Sequence, residues 1–286
     1  MVKGTKERSK LKALRDILFK MESALIAYSG GTDSTFLLKI AQETLKEKVA
    51  VILSSPFHSQ RELTLAQGTA RAIGTEPIII AIEELKDLEN DHKRCYYCKK
   101  ILFSRLSRLK EEYGLNHVVE GSNLNDLDEF RPGMKALSEL GIGSPLIEAR
   151  FTKDEIRRLS KKMDLPTWNK PPQTCLLTRF PYYTEITKEK LLRVERAEEF
   201  LVSLGVRGAF RVRDHQDTAR IEVLKRDMKI FMGERSREII KRFKDLGYTY
   251  ITLDLEGYRS GSMDQIEVKK GGRFGSKKDQ KTPKGD

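Results

Sequence analysis

Along its first half the chain sets short apolar runs between longer amphipathic stretches. Residues 24–28, Ala-Leu-Ile-Ala-Tyr, form a compact apolar run that stops at Gly30-Gly31, which predicts a buried strand entering a tight turn. From Asp33 to about Lys46 the apolar positions Phe36, Leu37, Ile40 and Leu45 follow a helical period. Further strands are expected at 49–53, 77–82 and 117–119, and a short fifth one at 144–147. Helices are expected at 6–20, 59–73, 97–113 and 153–163. Strands alternating with helices predict an α/β fold, a Rossmann-like doubly wound parallel sheet.

That rhythm breaks at 165–172, Leu-Pro-Thr-Trp-Asn-Lys-Pro-Pro, where the prolines end any helix and leave Cys175 on a loop. Beyond it come a long helix from Thr187 to about 204, alternating segments at 209–212 and 219–223, a helix at 234–245 and a strand at 248–253. This half reads as a smaller C-terminal α+β domain. The expected division is therefore 1–180, 181–268, and a Gly/Lys-rich, disordered tail at 269–286.

Charge changes this picture little. The 286 residues carry a net +12, which invites a nucleic-acid reading. Residues 1–20 and 269–286 each hold seven basic and two acidic residues, so the body between them is nearly neutral. Basic ends are solvated tails more often than groove readers, so nucleic acid is not the expected partner. No apolar run reaches membrane-spanning length and no signal-peptide pattern opens the chain, which points to a cytoplasmic protein. Three cysteines, an odd number, argue for metal binding or catalysis over a disulfide framework.

Two places carry chemistry. The first is Ser29-Gly30-Gly31-Thr32-Asp33-Ser34-Thr35, between a strand and a helix. Its glycines let the backbone approach a phosphate, and the helix N-terminus offers unpaired N–H groups. Ser29, Ser34 and Thr35 add hydroxyls, and Asp33 is either a helix cap or a ligand for Mg²⁺. With no lysine in it, the loop is not a Walker A motif. It resembles the PP-loop of the N-type ATP pyrophosphatases, which implies ATP, adenylation of a carbonyl oxygen and AMP as leaving group. Ser54 and Ser55, at the end of the second strand, fall where adenine docks in such folds, and Gly121, in the exit from the fourth, joins the ATP-binding set.

The second is Arg94-Cys95-Tyr96-Tyr97-Cys98 together with Cys175 in the segment 170–180. A Cys-x-x-Cys pair alone is ambiguous between metal, redox pair and packing. Its basic neighbours His92, Lys93, Arg94, Lys99 and Lys100 are expected to favour thiolates. These segments, with Glu120-Gly121-Ser122-Asn123, Arg131-Pro132-Gly133 and 211–223, resemble the LarE family over nearly the whole chain. The resemblance implies an ATP-dependent sulfur transferase of nickel-pincer nucleotide biosynthesis, which converts a carboxylate of a pyridinium dicarboxylate mononucleotide to a thiocarboxylate.

Within that family, the residue matching Cys175 either gives up its own sulfur or joins two more cysteines around a [4Fe-4S] cluster. With Cys95, Cys98 and Cys175 all present, the cluster type is expected, its open iron accepting sulfide from an external donor. The alternatives are a zinc site with His92 as fourth ligand, and a sacrificial Cys175 beside a redox pair. Arg211 and Arg213 alternate on one strand, and by resemblance fall in the phosphate-binding segment for the nucleotide substrate. Arg179 is a candidate for AMP or substrate, against the plainer reading of each arginine as a surface ion pair. Glu198 or Glu199 and Asp254 are weaker candidates near the substrate. Family members suggest a homo-oligomer. A tRNA thiolation enzyme of the same superfamily and a non-catalytic nucleotide sensor are the rival readings.

Overall fold

The computed structural model describes residues 2–127 and 132–263. Arg131 and the tail at 269–286 lie outside the described residues. The chain opens with α1 (Val2–Met21) and then alternates: β1 (Ser23–Ala27), α2 (Thr32–Thr44), β2 (Glu47–Ser54), α3 (Gln60–Ala72), β3 (Ile78–Ala81), α4 (Arg94–Glu112) and β4 (His117–Val119). Three shorter helices follow: α5 (Pro132–Glu139), α6 (Pro145–Glu148) and α7 (Lys153–Lys162).

The four strands form one parallel sheet in the order β3-β2-β1-β4. Its strands alternate between two cores. Ala24 and Ile26 of β1, with Ala50 and Ile52 of β2, face a cluster built from α1, α2, α3 and α7. Leu25 and Val51 between them face a second cluster built largely from α4. Apolar residues at every position, rather than at alternate ones, are what a strand covered on both sides requires. The doubly wound sheet expected from the sequence is therefore present.

The fifth strand expected at 144–147 is absent. Pro145 lacks an N–H for a ladder and its fixed φ suits the first turn of a helix, so the segment folds as the single turn α6. The β contact that remains is one bridge from Val119 to Gly143. The helix expected from residue 97 begins three residues earlier, at Arg94, so Cys95 and Cys98 are helical.

The second half contains α8 (Lys188–Ser203), β5 (Arg211–His215), β6 (Thr218–Glu222), α9 (Arg235–Asp245) and β7 (Tyr250–Leu253). Thr187 starts α8 by accepting the Lys190 N–H at 3.3 Å. The strands make a small mixed sheet, β5 antiparallel and β7 parallel to β6. Leu191 and Val194 of α8 pack in the α4 core, while Ala197 and Leu201 belong to the core of the small sheet. One helix thus serves both halves. No helix among the described residues is long and apolar enough to cross a membrane.

Candidate active site

The sheet reverses its winding between β1 and β4, since β2 and β3 lie on one side of β1 and β4 on the other. The crevice at the carboxyl ends of such strands is where open α/β sheets bind ligands. Residues 29–35 occupy it. Gly30 takes φ +68, and a Cβ on it would lie 2.5 Å from the Ala66 Cβ of α3. Gly121, leaving β4, comes so close that its Cβ would sit 2.9 Å from the Ser34 backbone nitrogen. Ser29 and Ser34 share a 3.0 Å hydroxyl contact, and the buried Thr35 hydroxyl meets the Tyr28 phenol at 3.2 Å. Ser54 ends β2 on the same edge.

Asp33 does not cap α2. Gly31 holds the cap position without a side-chain bond, and the Asp33 Oδ1 is buried with no hydrogen-bond partner. Burial pushes its carboxyl up to about 6; Asp126 adds to the rise, while Lys153, Arg157 and a bond from Asn123 oppose it. An orphaned carboxylate oxygen beside a phosphate-ready loop fits a divalent cation.

Cys175 begins the short turn Leu176–Arg179, which packs on the loop after β2 through the Leu176 N–H to the Phe57 carbonyl, 2.8 Å. Three arginines grip this sulfur loop by its carbonyls. Arg179 donates to those of Thr174 and Cys175 at 3.0 and 3.1 Å, Arg211 to Pro172 at 2.9 Å, and Arg213 to Thr178 at 2.7 Å. All three are buried, so the surface-ion-pair reading fails for each. Arg179 is locked to Glu198, and Arg213 to Glu222. Burial and then the charge of Arg179, with Arg213 adding, hold the Arg211 guanidinium down at about 10.

Cys95 and Cys98 sit one helical turn apart at the start of α4. Cys98 and Cys175 both line the rim of the α4 core. Arg94 joins the two segments: its buried guanidinium donates to the Leu177 carbonyl at 3.2 Å and to Asn90, and stacks 4.4 Å from the Tyr182 ring.

No family model matches the chain. It is 36% identical to the pyridinium-3,5-bisthiocarboxylic acid mononucleotide synthase of Lactiplantibacillus plantarum, over 93% of this chain and 96% of that protein. The chain belongs to the LarE family. An uncharacterized protein of Synechocystis is 42% identical over 91% of this chain and 99% of its own length. A glutamine-hydrolyzing GMP synthase chain of Sulfurisphaera tokodaii, 28% identical over 59% of this chain and 50% of its own length, carries the similarity to other PP-loop proteins.

In this LarE-family chain the cysteines differ from expectation in one respect. Burial pushes the Cys98 thiol up to about 12, with the Cys175 and Cys95 sulfurs adding and Lys99 opposing. Cys95 keeps solvent on one side, yet the protein behind it raises its thiol, as does Cys175, against the pull of Arg94 and Lys99. Desolvation outweighs the basic neighbours, so without a metal the pair is held as thiols at neutral pH. Among the described residues no three His, Cys, Asp or Glu side chains converge on a single ion. His92 meets the Tyr183 hydroxyl at 3.0 Å. Both Cys95 and Cys98 nonetheless feel the charge of Cys175. The three sulfurs therefore act on one another, and thiolates are the donors an iron–sulfur cluster takes.

The sequence did not mark Lys170, whose Nζ donates to the Gly30 carbonyl at 3.0 Å, or Thr167, whose carbonyl accepts from Thr32 at 2.7 Å. Glu198 serves Arg179 and the Val212 N–H, and Asp254 pairs with Arg259 and Arg220.

Proposed function

We propose that this chain is an ATP-dependent sulfur transferase that adenylates a carboxylate of a pyridinium dicarboxylate mononucleotide and converts it to a thiocarboxylate for a nickel-pincer cofactor. The observation that carries this is spatial: the phosphate-ready loop 29–35 and Cys175 share one edge of the sheet, joined by the segment 167–175. An activated acyl group made at the first site is thus delivered beside the sulfur of the second. The similarity to the Lactiplantibacillus synthase supplies the acceptor.

In this reading Ser29, Gly30, Gly31, Thr32, Ser34 and Thr35 hold the ATP phosphates, Ser54 and Gly121 border the nucleotide, and Asp33 holds Mg²⁺. The substrate carboxylate attacks the α-phosphorus, pyrophosphate leaves, and an acyl-adenylate forms. A sulfur nucleophile then attacks the acyl carbon and AMP departs with one carboxylate oxygen. Arg211 and Arg213, with Arg179 behind them, would take the substrate phosphate. Burial first, and then the neighbouring Arg179 charge, lower the Arg211 guanidinium, and a bound anion would offset both. Cys95, Cys98 and Cys175 would hold a [4Fe-4S] cluster, which when bound supplies an open iron for sulfide from an external donor. The protein is read as a homo-oligomer, as its family implies.

The test is turnover under anaerobic conditions with iron, sulfide, ATP and the dicarboxylate mononucleotide, followed by intact mass. Many thiocarboxylates per chain at unchanged mass support the cluster route. One product per chain with loss of H₂S at Cys175 assigns the sulfur to that residue instead. Absence of AMP and pyrophosphate with this acceptor overturns the proposal.

A further inference from the structure

The loop 29–35 contains no cation, yet a lysine reaches it from 140 residues away. Lys170 lies in the extended segment that follows α7, and two contacts pin that segment to the loop. The buried Thr32 hydroxyl donates to the Thr167 carbonyl at 2.7 Å, and the Lys170 ammonium donates to the Gly30 carbonyl at 3.0 Å. Arg157 fixes the segment from outside by donating to the Lys170 carbonyl at 2.7 Å. The same ammonium pairs with Glu62 of α3 at 2.8 Å, both side chains mostly buried. Glu62 stands one helical turn before Ala66, the residue against which Gly30 packs. One face of α3 therefore seats the loop glycine and holds the lysine above it.

We infer that Lys170 is the cationic ligand for the β- and γ-phosphates of ATP, held at the loop by Glu62 until the polyphosphate arrives. This rests on the reading of residues 29–35 as an ATP loop. An ammonium has three donors, and Gly30 and Glu62 take two. Its charge is compact and mobile on a flexible stem, which suits a phosphate that must be gripped and then released. A polyanion seated on the loop amides competes with Glu62 for that charge. Lys170 is also five residues before Cys175 on the same segment. The residue that feels pyrophosphate form and leave is thus tethered to the sulfur loop.

Calorimetric binding of ATP, inorganic pyrophosphate and AMP at fixed Mg²⁺, to the wild type, Lys170→Met and Glu62→Gln, tests this. Lys170→Met should weaken ATP and pyrophosphate about tenfold and leave AMP within about twofold. Glu62→Gln frees the ammonium and should tighten ATP and pyrophosphate severalfold. A wild type that binds neither ATP nor pyrophosphate removes the underlying reading of the loop. A wild type that binds them, with Lys170→Met binding them equally well, overturns the role of Lys170 alone. Equal losses for AMP and ATP in Lys170→Met, or weaker binding in Glu62→Gln, would reduce Lys170 to a staple for the segment and also overturn it.

Discussion

Arg179 and Glu198 are joined by two parallel hydrogen bonds, Nε to Oε1 at 2.9 Å and Nη2 to Oε2 at 2.8 Å, with Arg179 almost wholly buried. The remaining guanidinium nitrogen holds the Thr174 and Cys175 carbonyls. A carboxylate on α8 thus sets the shape of the sulfur loop through an arginine. The arrangement keeps the Glu198 carboxyl below the usual range: burial alone would raise it, and the Arg179 charge and hydrogen bonds win.

Removing one partner leaves the other charge buried and unpaired. Glu198→Gln should cost about 3 kcal/mol of stability. Thermal unfolding reads that loss. Pyrophosphate release in the same variant should fall far less than thiocarboxylate formation, because Glu198 bears on the sulfur loop and not on residues 29–35. Equal loss of both half-reactions would show that the pair acts only through global stability.

Asp33 carries a pH signature. Its carboxyl is raised to about 6 in the fold, above the ordinary value near 4, so the folded state binds the proton more tightly than the unfolded chain. Stability from this group is fully present below about pH 4 and falls as pH rises through about 6. Asp33→Asn should therefore stabilise the ligand-free protein at pH 7 by about 1 kcal/mol, read as a higher melting temperature. The same substitution should abolish Mg²⁺-dependent ATP binding. In the wild type that binding should strengthen as pH rises through 6, as the carboxylate forms. A flat profile from about pH 5 to about pH 7 would mean that Asp33 does not hold the cation.

The cysteine pair gives a third outcome. With Cys98 raised to about 12 and Cys95 raised as well, both should alkylate slowly at pH 7.5, well below the rate of an unperturbed thiol (about pKa 8.5). Anaerobic iron and sulfide should release protons on binding and protect both residues further. Peptide mass mapping after timed iodoacetamide treatment measures each cysteine separately. Fast labelling of Cys98 in the metal-free protein would contradict the burial that raises it.

How much of this the sequence carried depended on range. The alternation of β1 and β2 between two cores, the glycine turn and the helix after it are local patterns, and all are visible within about ten residues. The 144–147 segment misled because a four-residue apolar run has no period of its own, and Pro145 decided it. Counting basic residues around Cys95 and Cys98 gave the wrong sign for their acidity. Charge is written in the sequence and desolvation is not. Arg179, Arg211 and Arg213 could be chosen as candidates, but their partners could not. The carbonyl of Pro172 is 39 residues from Arg211, and no periodicity reports a contact at that distance.

Gly30 offers the sharpest separation of two causes. Its φ of +68 strains any residue with a Cβ, and that Cβ would also meet the Ala66 Cβ at 2.5 Å and its Cα at 2.8 Å. Left-handed backbone at a non-glycine residue costs about 1–2 kcal/mol. The collision adds a cost that α3 cannot avoid by rotating a side chain, since the atoms struck belong to an alanine and its backbone. Gly30→Ala should therefore lose ATP binding, and lose stability by more than the backbone strain alone. Ala66→Gly removes the nearer of the two struck atoms at a helix-propensity cost of about 1 kcal/mol. If steric contact dominates, the double variant Gly30→Ala/Ala66→Gly should recover part of the ATP affinity and be more stable than the sum of the single variants, a coupling of about 1 kcal/mol or more. If strict additivity is found by denaturant unfolding, the backbone conformation alone makes glycine necessary, and α3 is a neighbour of the loop without being its seat.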